Sequence, residues 1–388
     1  MQINYKVTSG SLHDIYKNKR VLITGHTGFK GSWLTLWLTH LGADVYGYAL
    51  SPPTHPSLFD FLNLKNSIRH EVADIRNYKK LRECISGTRP DIIFHLAAQS
   101  VVRESYISPY ETVEVNALGS VKLMEAVRDE RLAAAMIMVT SDKCYDNREW
   151  MHGYRENDPL GGDDPYSASK GAAEILIRSW RNSFFNPAQL NSHGVRLASV
   201  RAGNVVGGGD WTKDQIVPDC IRALQQGNVI RVRNPEATRP WQHVLEPLSG
   251  YLSLGARLLD PSSLNVAEYC EAFNFGGYVN SNKSVKELVE NVISYWGEGS
   301  WDLVHPDKSY HESSLLNLSS DKAYHKLGWY PRWNFDQTIY RTVTWYKTAM
   351  QKPAAIREFT LNQIREYEDS KEAAGTEMVR NTGELINY

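Results

Sequence analysis

The chain has few cysteines, and they are not clustered. Cys84, Cys144, Cys220 and Cys270 lie far apart and form no CxxC pair. This spacing excludes a disulfide framework and the usual zinc sites, whose ligands are closely spaced. We therefore expect reduced thiols and no bound metal.

Long hydrophobic runs are also absent. No stretch approaches the roughly 18 apolar residues that a membrane-spanning helix needs, and residues 1–19 lack the apolar segment of a secretory signal peptide. From these two absences we expect a soluble cytoplasmic protein that is not exported.

An excess of either charge is missing as well. The 43 basic residues are balanced by 44 acidic ones, which gives a formal net charge of −1. Binding to nucleic acid or to a membrane surface usually requires a clustered basic excess. The composition therefore indicates a small-molecule substrate, with no nucleic-acid or membrane partner.

The apolar pattern predicts an α/β fold. Strand-length apolar runs alternate with helical patterns, which is typical of a doubly wound parallel (Rossmann-type) sheet. The predicted strands cover residues 20–24, 44–48, 71–74, 92–96, 135–139 and 197–201. The helix between the first two strands carries Leu34, Leu38 and Leu41 at i, i+4 and i+7, an apolar stripe that can lie on the sheet.

At 388 residues the chain is long enough for two lobes, because single cores stop growing at roughly 250 to 300 residues. We place a dinucleotide-binding domain at residues 15–202. Residues 203–350 would form mainly a smaller α/β substrate-binding lobe, with one late segment returning to the sheet. Residues 353–388 form a polar tail with little core-forming pattern, which leaves a helix, disorder or an oligomer contact open.

A glycine-rich turn follows the first predicted strand. In residues 24–31 (TGHTGFKG), glycines allow a tight turn and bring backbone N–H groups and a helix N-terminus to a pyrophosphate. The candidate cofactor residues here are Gly25, His26, Gly28, Phe29, Lys30 and Gly31. The second strand ends without the usual ribose-binding carboxylate. The choice between NAD and NADP therefore stays open, and Lys30 and His26 are candidates to contact phosphate.

Two later strand ends supply further candidates for the dinucleotide site. Asp74 and Ile75 follow the third strand, where adenine would lie. Leu96, Ala97 and Ala98 follow the fourth, and this segment offers small residues where the nicotinamide ribose would pass.

Five residues indicate hydride-transfer chemistry with an added acid and base. Tyr166 and Lys170 are four residues apart, so on a helix an ammonium lies near a phenol and favours the phenolate. Ser141 ends a predicted strand 25 residues earlier, and Asp142 and Lys143 follow it directly. An oxidation alone does not need these two additional ionisable groups.

These motifs resemble the extended short-chain dehydrogenase/reductases, which carry TGxxGxxG, a Ser or Thr after the fifth strand, and YxxxK. Further strings resemble the CDP-sugar 4,6-dehydratases of that family: TSDKCYDN (140–147), RNSFFNPA (181–188), RAGNVVGGGDW (201–211), RPWQHVLEPLSGYL (239–252) and YWGEGSW (295–301). The resemblance covers roughly residues 15–350. It implies a cytoplasmic, NAD-using lyase whose substrate is CDP-D-glucose.

The resemblance also implies a mechanism. Tyr166 would take the C4 hydroxyl proton while hydride leaves C4, with Ser141 holding the same oxygen and Lys170 lowering the phenol pKa. Related dehydratases place Asp-Glu after the catalytic Ser or Thr, whereas this chain has Asp142-Lys143. Lys143 would therefore remove the C5 proton, Asp142 would protonate the departing C6 hydroxyl, and hydride would return to C6.

On the substrate side, the candidates are Arg103, Asn204, Arg239, His243 and His311. Arg239 and Asn204 would bind the sugar diphosphate, and His243 either supports Arg239 or is a packed polar residue. The resemblance further implies a homodimer, or a dimer of dimers, formed through helices near Ala117 and Tyr166.

Two other functions fit part of this pattern. A nucleotide-sugar 4-epimerase shares the glycine-rich turn and YxxxK, but does not need the acid and base after Ser141. A non-catalytic NAD-binding scaffold would keep the fold, but has no physical need for a phenol–lysine pair.

Overall fold

The computed structural model describes residues 11–260, 265–278, 281–304 and 315–381. The strands in these ranges are β1 (Arg20–Thr24), β2 (Asp44–Ala49), β3 (Arg69–Val72), β4 (Ile92–His95), β5 (Ala135–Val139), β6 (Arg196–Ala202), β7 (Val205–Val206), β8 (Ile230–Val232), β9 (Thr238–Pro240), β10 (Gln242–His243), β11 (Ala272–Phe275), β12 (Asn282–Ser284) and β13 (Trp301–Leu303).

The helices in the described part of the chain are α1 (Leu12–Tyr16), α2 (Phe29–His40), α3 (Leu58–Phe61), α4 (Tyr78–Thr88), α5 (Val102–Ile107), α6 (Pro109–Val113), α7 (Gly119–Asp129), α8 (Pro165–Ser183), α9 (Leu190–His193), α10 (Ile216–Gln225), α11 (Leu245–Leu259), α12 (Val285–Trp296), α13 (Asp321–Leu327), α14 (Phe335–Gln351) and α15 (Ile356–Asn381). None of them combines the length and apolar character needed to cross a bilayer.

Within the described ranges, seven strands form one sheet in the order β11-β6-β5-β4-β1-β2-β3, and every pairing in it is parallel. The predicted doubly wound fold is confirmed. The third strand lies two residues earlier than predicted, because the chain turns after Val72 and Asn77 N–H bonds the Asp74 carbonyl. In the described part of the chain after residue 203, the strands other than β11 form three separate two-stranded sheets.

Alternate strand residues face opposite sides of the sheet. In β1, Val21 and Ile23 belong to one hydrophobic core and Leu22 to the other. Helices α2 and α11 contribute to the first core, and α4, α7 and α8 contribute to the second. The predicted α2 stripe of Leu34, Leu38 and Leu41 is buried as expected.

Helix α15 packs against the rest of the fold. Its residues Ile356, Thr360, Ile364 and Tyr367 are all buried, which is one helical face at i, i+4, i+8 and i+11. The charged residues between them hid this pattern in the sequence. Of the alternatives left open for the tail, namely a helix, disorder or an oligomer contact, the structure shows a helix as far as residue 381.

Glu246 of α11 anchors this helix from inside the core. Its carboxylate accepts hydrogen bonds from the backbone N–H of Arg332 at 3.0 Å, the backbone N–H of Trp333 at 2.8 Å and the Tyr367 hydroxyl at 2.6 Å. The carboxylate is fully buried. Three donors from two later segments therefore partly compensate for its removal from water.

Glu246 makes stability depend on pH. Burial, only partly offset by these hydrogen bonds, raises its pKa from the usual 4.5 to about 7. Its contribution to stability is therefore complete below about pH 4.5 and is lost as the pH rises through about 7. We expect Glu246→Gln to flatten the pH dependence of the melting temperature in this window, measured by thermal unfolding. Glu290→Gln, at an exposed position of α12, should keep the wild-type slope. An unchanged slope in the Glu246 variant would contradict this interpretation.

Candidate active site

The turn between β1 and α2 brings backbone close to any ligand bound there. Gly25 has a φ of +78°, and a Cβ at this position would lie 2.6 Å from the Ala97 nitrogen. A Cβ on Gly31 would lie 2.1 Å from the Gly25 carbonyl oxygen. No side chain caps α2 at Gly28. The N–H groups of its first turn are therefore available to an anion such as a pyrophosphate.

A large cavity opens beside this turn, at the carboxyl ends of the parallel strands. Its volume is about 1050 Å³. Most of the residues predicted to bind cofactor or substrate line it. They are Gly25, Gly28, Phe29, Lys30, Gly31, Asp74, Ile75, Leu96, Ala97, Ala98, Arg103, Ser141, Asp142, Lys143, Tyr166, Lys170, Asn204 and Arg239. The structure thus brings together the predicted cofactor turn and the predicted acid–base residues.

His26 is a predicted cofactor residue that lies outside this cavity wall. Its side chain is fully buried and packs edge-on against Phe59 and His70. Burial, assisted by His70, lowers the His26 pKa to about 3. A neutral, enclosed ring does not contact phosphate, so the side chain packs beneath the turn instead.

The predicted substrate residue His243 is also away from the cavity. It is fully buried, and its ring packs edge-on against Trp33 and Trp333. The structure therefore agrees with the second alternative for this residue, a packed polar side chain. His311 lies outside the described residues.

The acid–base residues occupy a short 3₁₀ turn after β5. Ser141 caps this turn, since its Oγ accepts a hydrogen bond from the Lys143 N–H at 3.2 Å. The same hydroxyl donates to Asp142 Oδ1 at 2.9 Å, and its hydrogen bond with the Tyr166 phenol lowers the phenol pKa. The serine therefore links the phenol to the carboxyl group.

Helix α8 carries the phenol and the amine. Asp164 caps its first turn by accepting from the Ser167 N–H at 2.9 Å, and Pro165 occupies the first helical position. Tyr166 and Lys170 are buried one turn apart, with Lys170 Nζ 5.9 Å from the Tyr166 ring centroid. The predicted spacing on one helix face is confirmed.

The phenol pKa differs from the sequence expectation. Burial raises the pKa of Tyr166, and the hydrogen bond with Ser141 lowers it by less. Burial and the nearby Lys30 lower the pKa of Lys170 to about 8. The expected lowering of the phenol pKa is therefore not seen, because desolvation outweighs the hydrogen bond with Ser141, and the nearby Asp142 and Asp164 raise the pKa further.

Burial acts on the carboxyl group in the same way. Burial raises the pKa of Asp142, although the charge of Lys143 acts in the opposite direction. The raised pKa favours the protonated acid. Burial also lowers the pKa of Lys30 to about 8, and Asp142 opposes this shift. The cavity floor therefore shifts these side chains toward their neutral forms.

Sequence reasoning missed Asn116, which links the cofactor side to α8. It lies in a π-helical segment, Glu114–Leu118, and its Nδ2 donates to Ser169 Oγ at 2.9 Å. Its Oδ1 accepts from the Gln99 N–H at 2.9 Å. An asparagine on the buried side of a helix was the available signal, because such an amide needs partners.

At the adenosine end of the cavity, the acidic side chains come from segments other than β2. Residues 49–51, which end that strand, line the cavity without a carboxylate. Asp74 instead accepts from Arg76 at 2.7 Å, and this hydrogen bond lowers the Asp74 pKa. The Arg76 guanidinium also lies 3.1 Å from Glu111 and 3.2 Å from Glu114. Three carboxylates around one guanidinium leave this end negative.

The substrate end is rich in arginine. Arg103 pairs with Asp214 at 3.3 Å, and Arg233 lies 3.8 Å from the same carboxylate. Arg231 and Arg239 also line the cavity. One guanidinium group can donate two parallel hydrogen bonds to phosphate oxygens, so these arginines suit the diphosphate of a nucleotide sugar. Arg231 and Arg233 stand on either side of the apolar Val232, and this alternation was the available signal in the sequence.

The sequence pattern of the family described as GDP-mannose 4,6 dehydratase matches residues 22–342. Among curated proteins, the chain is 49% identical over 334 residues to the CDP-glucose 4,6-dehydratase of Salmonella typhimurium. This match covers 86% of the chain and 92% of that protein.

Solved structures share the fold. DesIV, a dTDP-glucose 4,6-dehydratase from Streptomyces venezuelae with NAD and TYD bound, is 22% identical with a TM-score of 0.71, covering 86% of this chain and 99% of that one. An epimerase from Methanothermobacter thermautotrophicus is 21% identical with a TM-score of 0.73, covering 88% and 97%. These likenesses concern the fold, which dehydratases and epimerases have in common.

The geometry of the glycine-rich turn predicts the effect of adding one methyl group. Gly25→Ala places a Cβ against the Ala97 backbone at a positive φ, so we expect a loss of about 1–3 kcal/mol in unfolding free energy. Gly87→Ala is the control, because a Cβ there meets no atom within 4 Å and α4 is helical. Denaturant unfolding of both variants measures the difference, and equal stability would contradict the close approach.

Proposed function

The chain belongs to the GDP-mannose 4,6 dehydratase family, and on this premise we propose that it is a nucleotide-sugar 4,6-dehydratase. The proposed reaction converts CDP-D-glucose to CDP-4-dehydro-6-deoxy-D-glucose and releases one water. One observation carries the proposal: Asp142 and Lys143 line the same cavity as Ser141, Tyr166 and Lys170. Oxidation uses the phenol, the hydroxyl and the amine, and elimination requires the additional acid and base.

The residues at the glycine-rich turn fit NAD. A Cβ atom at Gly25 or Gly31 would collide with neighbouring backbone atoms, so only glycine allows the tight turn that brings the backbone close to a bound pyrophosphate. The first turn of α2 would bind the pyrophosphate, and Asp74 and Ile75 would lie by the adenine. The excess of carboxylates around Arg76 opposes the additional phosphate of NADP. NAD⁺ bound there would accept a hydride from C4 of the sugar and return it to C6.

Oxidation of C4 depends on Tyr166, Ser141 and Lys170. Tyr166 takes the proton of the C4 hydroxyl. Ser141, which is hydrogen-bonded to the phenol, holds the C4 oxygen. Burial favours the protonated phenol, so the reaction needs a positive charge nearby. Lys170 supplies one from the next turn of α8.

Elimination depends on Asp142 and Lys143. The C4 ketone acidifies the C5 proton, and Lys143 removes it, exchanges it with solvent and gives a proton back to C5 when hydride returns to C6. The C6–oxygen bond breaks as Asp142 donates its proton to the departing hydroxyl, which leaves as water. Burial raises the Asp142 pKa, so the acid form that this step requires is favoured.

The choice of CDP-D-glucose rests on the relative at 49% identity, whose printed name is CDP-glucose 4,6-dehydratase. The arginine-rich end of the cavity supports a diphosphate substrate. The four cysteines are all unpaired, which suits the reducing cytoplasm.

A homodimer, or a dimer of dimers, is part of the proposal. Exposed apolar side chains lie on α5, α6, the adjoining π-helical segment and α8, and contiguous surfaces of this kind mark contact sites. They are Ile107, Tyr110, Val113, Leu118 and Ile175. Sedimentation of the purified chain at the monomer mass of 44.1 kDa would contradict this assembly.

The function is tested by the mass of the product. We expect NAD⁺ and CDP-D-glucose in deuterated water to give a product that has lost one water and carries solvent deuterium at C5. CDP-, dTDP- and GDP-hexoses are compared by mass spectrometry. A product of unchanged mass without deuterium at C5 would indicate a 4-epimerase. Binding of NAD with every hexose left unchanged would indicate a scaffold.

A lysine variant separates the two half-reactions. Lys143→Ala should leave C4 oxidation detectable in a single turnover, while product formation falls by about 10²- to 10⁴-fold because the C5 base is gone. Absorbance of the reduced cofactor and product mass measure the two steps. Lys79→Ala is the control, because it changes a lysine on α4 whose side chain is 87% exposed. This variant should retain both C4 oxidation and product formation. Unimpaired product formation by the Lys143 variant would exclude lysine as the base.

A further inference from the structure

A buried ion pair lies beneath the acid–base residues and belongs to neither half-reaction. Arg201 of β6 and Glu174 of α8 meet at 2.8 Å, and each side chain is only 3% exposed. Although burial alone would raise the Glu174 pKa, Arg201 and the hydrogen-bond donors around it keep that pKa below its usual value. The carboxylate is therefore ionised and bound to a buried cation.

The ion pair reaches both ends of one segment. We name residues 140–145, which contain Ser141, Asp142 and Lys143, the catalytic loop. At its start, the Thr140 hydroxyl donates to Glu174 Oε1 at 2.5 Å. At its end, Arg201 Nη1 donates to the Tyr145 hydroxyl at 2.7 Å, and the Arg201 guanidinium carbon lies 4.9 Å from the Tyr145 ring centroid.

The same pair connects the catalytic loop to the catalytic helix. Glu174 lies four residues after Lys170 and eight after Tyr166, so the three side chains follow one face of α8. All three are buried. A shift of the catalytic loop relative to the phenol and the amine therefore requires these buried, charge-assisted hydrogen bonds to break.

We propose that the Glu174–Arg201 ion pair positions the catalytic loop against α8, and that Tyr145 is the residue through which it places Lys143 for elimination. This inference rests on the proposed dehydratase function. Glu174, Arg201 and Tyr145 are positioning residues, because they act through the groups of the catalytic loop and do not line the cavity.

The two ends of the loop have different consequences for the reaction. Ser141 is held a second time by its hydrogen bond with Tyr166, so the oxidation geometry has an independent support. Lys143 stands two residues before Tyr145, whose hydroxyl also donates to Asn274 at 2.8 Å. Loss of this hydroxyl therefore loosens the elimination base more than the oxidation pair.

Removing a charge would be an ambiguous test, because the remaining partner would be buried without compensation and the chain would unfold. Tyr145→Phe instead removes only the hydroxyl that Arg201 holds. We expect kcat for dehydration to fall by about tenfold or more, because small misplacements of a reacting group have large effects on rate. KM should stay within about twofold, and reduced cofactor should still form in a single turnover.

Tyr154→Phe is the matched control. Tyr154 is buried and stacked on Tyr145 with ring centroids 5.1 Å apart, but its hydroxyl bonds Asn147 and the Arg148 N–H instead of the ion pair. A second pair compares Thr140→Val with Ser199→Ala. Both remove a hydroxyl that donates to Glu174, but Ser199 lies on β6 outside the catalytic loop.

The proposal is overturned if Tyr145→Phe keeps kcat within about twofold, or if Tyr154→Phe is impaired equally. Equal loss of oxidation and elimination in Tyr145→Phe would also contradict it. Amide hydrogen exchange gives a readout that does not need turnover. Exchange in residues 140–145 should rise in Tyr145→Phe and Thr140→Val, and stay at the wild-type level in Ser199→Ala and Tyr154→Phe. If the wild-type chain dehydrates no nucleotide hexose, the proposed function fails, and exchange still decides whether the ion pair holds the loop.

Discussion

Removal of ionisable groups from water is the constraint on which the site depends. Burial shifts Asp142, Tyr166 and Lys170 toward their neutral forms, each in the direction that a low-dielectric surrounding dictates. Asp142 and Lys170 are shifted toward the pH range in which both protonation states are accessible, whereas the raised pKa of Tyr166 makes the phenol depend on a nearby positive charge. The cavity floor is therefore arranged for moving protons, whereas the arginine-rich end is arranged for holding charge.

The parallel sheet explains how residues distant in sequence reach this floor. Strand β5 ends at the catalytic loop, and β6 beside it supplies Arg201. Strand β11 pairs with β6 and brings Asn274 opposite Arg201, although it comes more than 70 residues later. The second half of the chain thus completes the support of a site whose reactive groups lie in the first half.

Local patterns could be predicted from the sequence, and distant contacts could not. The strands, the glycine-rich turn and the Tyr166 spacing follow from periodicities of two to four residues. The packing of His26 and His243 against aromatic rings depends on segments far away in the chain. The phenol pKa depends on total burial, and the role of Asn116 depends on a π-helical turn that no spacing rule indicates.

The position of Glu246 has a consequence for the order of events during synthesis. Its carboxylate meets the hydroxyl of Tyr367, a residue 121 positions later in the chain. Until that stretch has left the ribosome, α11 carries a glutamate whose partners do not yet exist and which stays in contact with water. The layer formed by α2, α11 and α15 therefore closes late, after the sheet beneath it has already been translated.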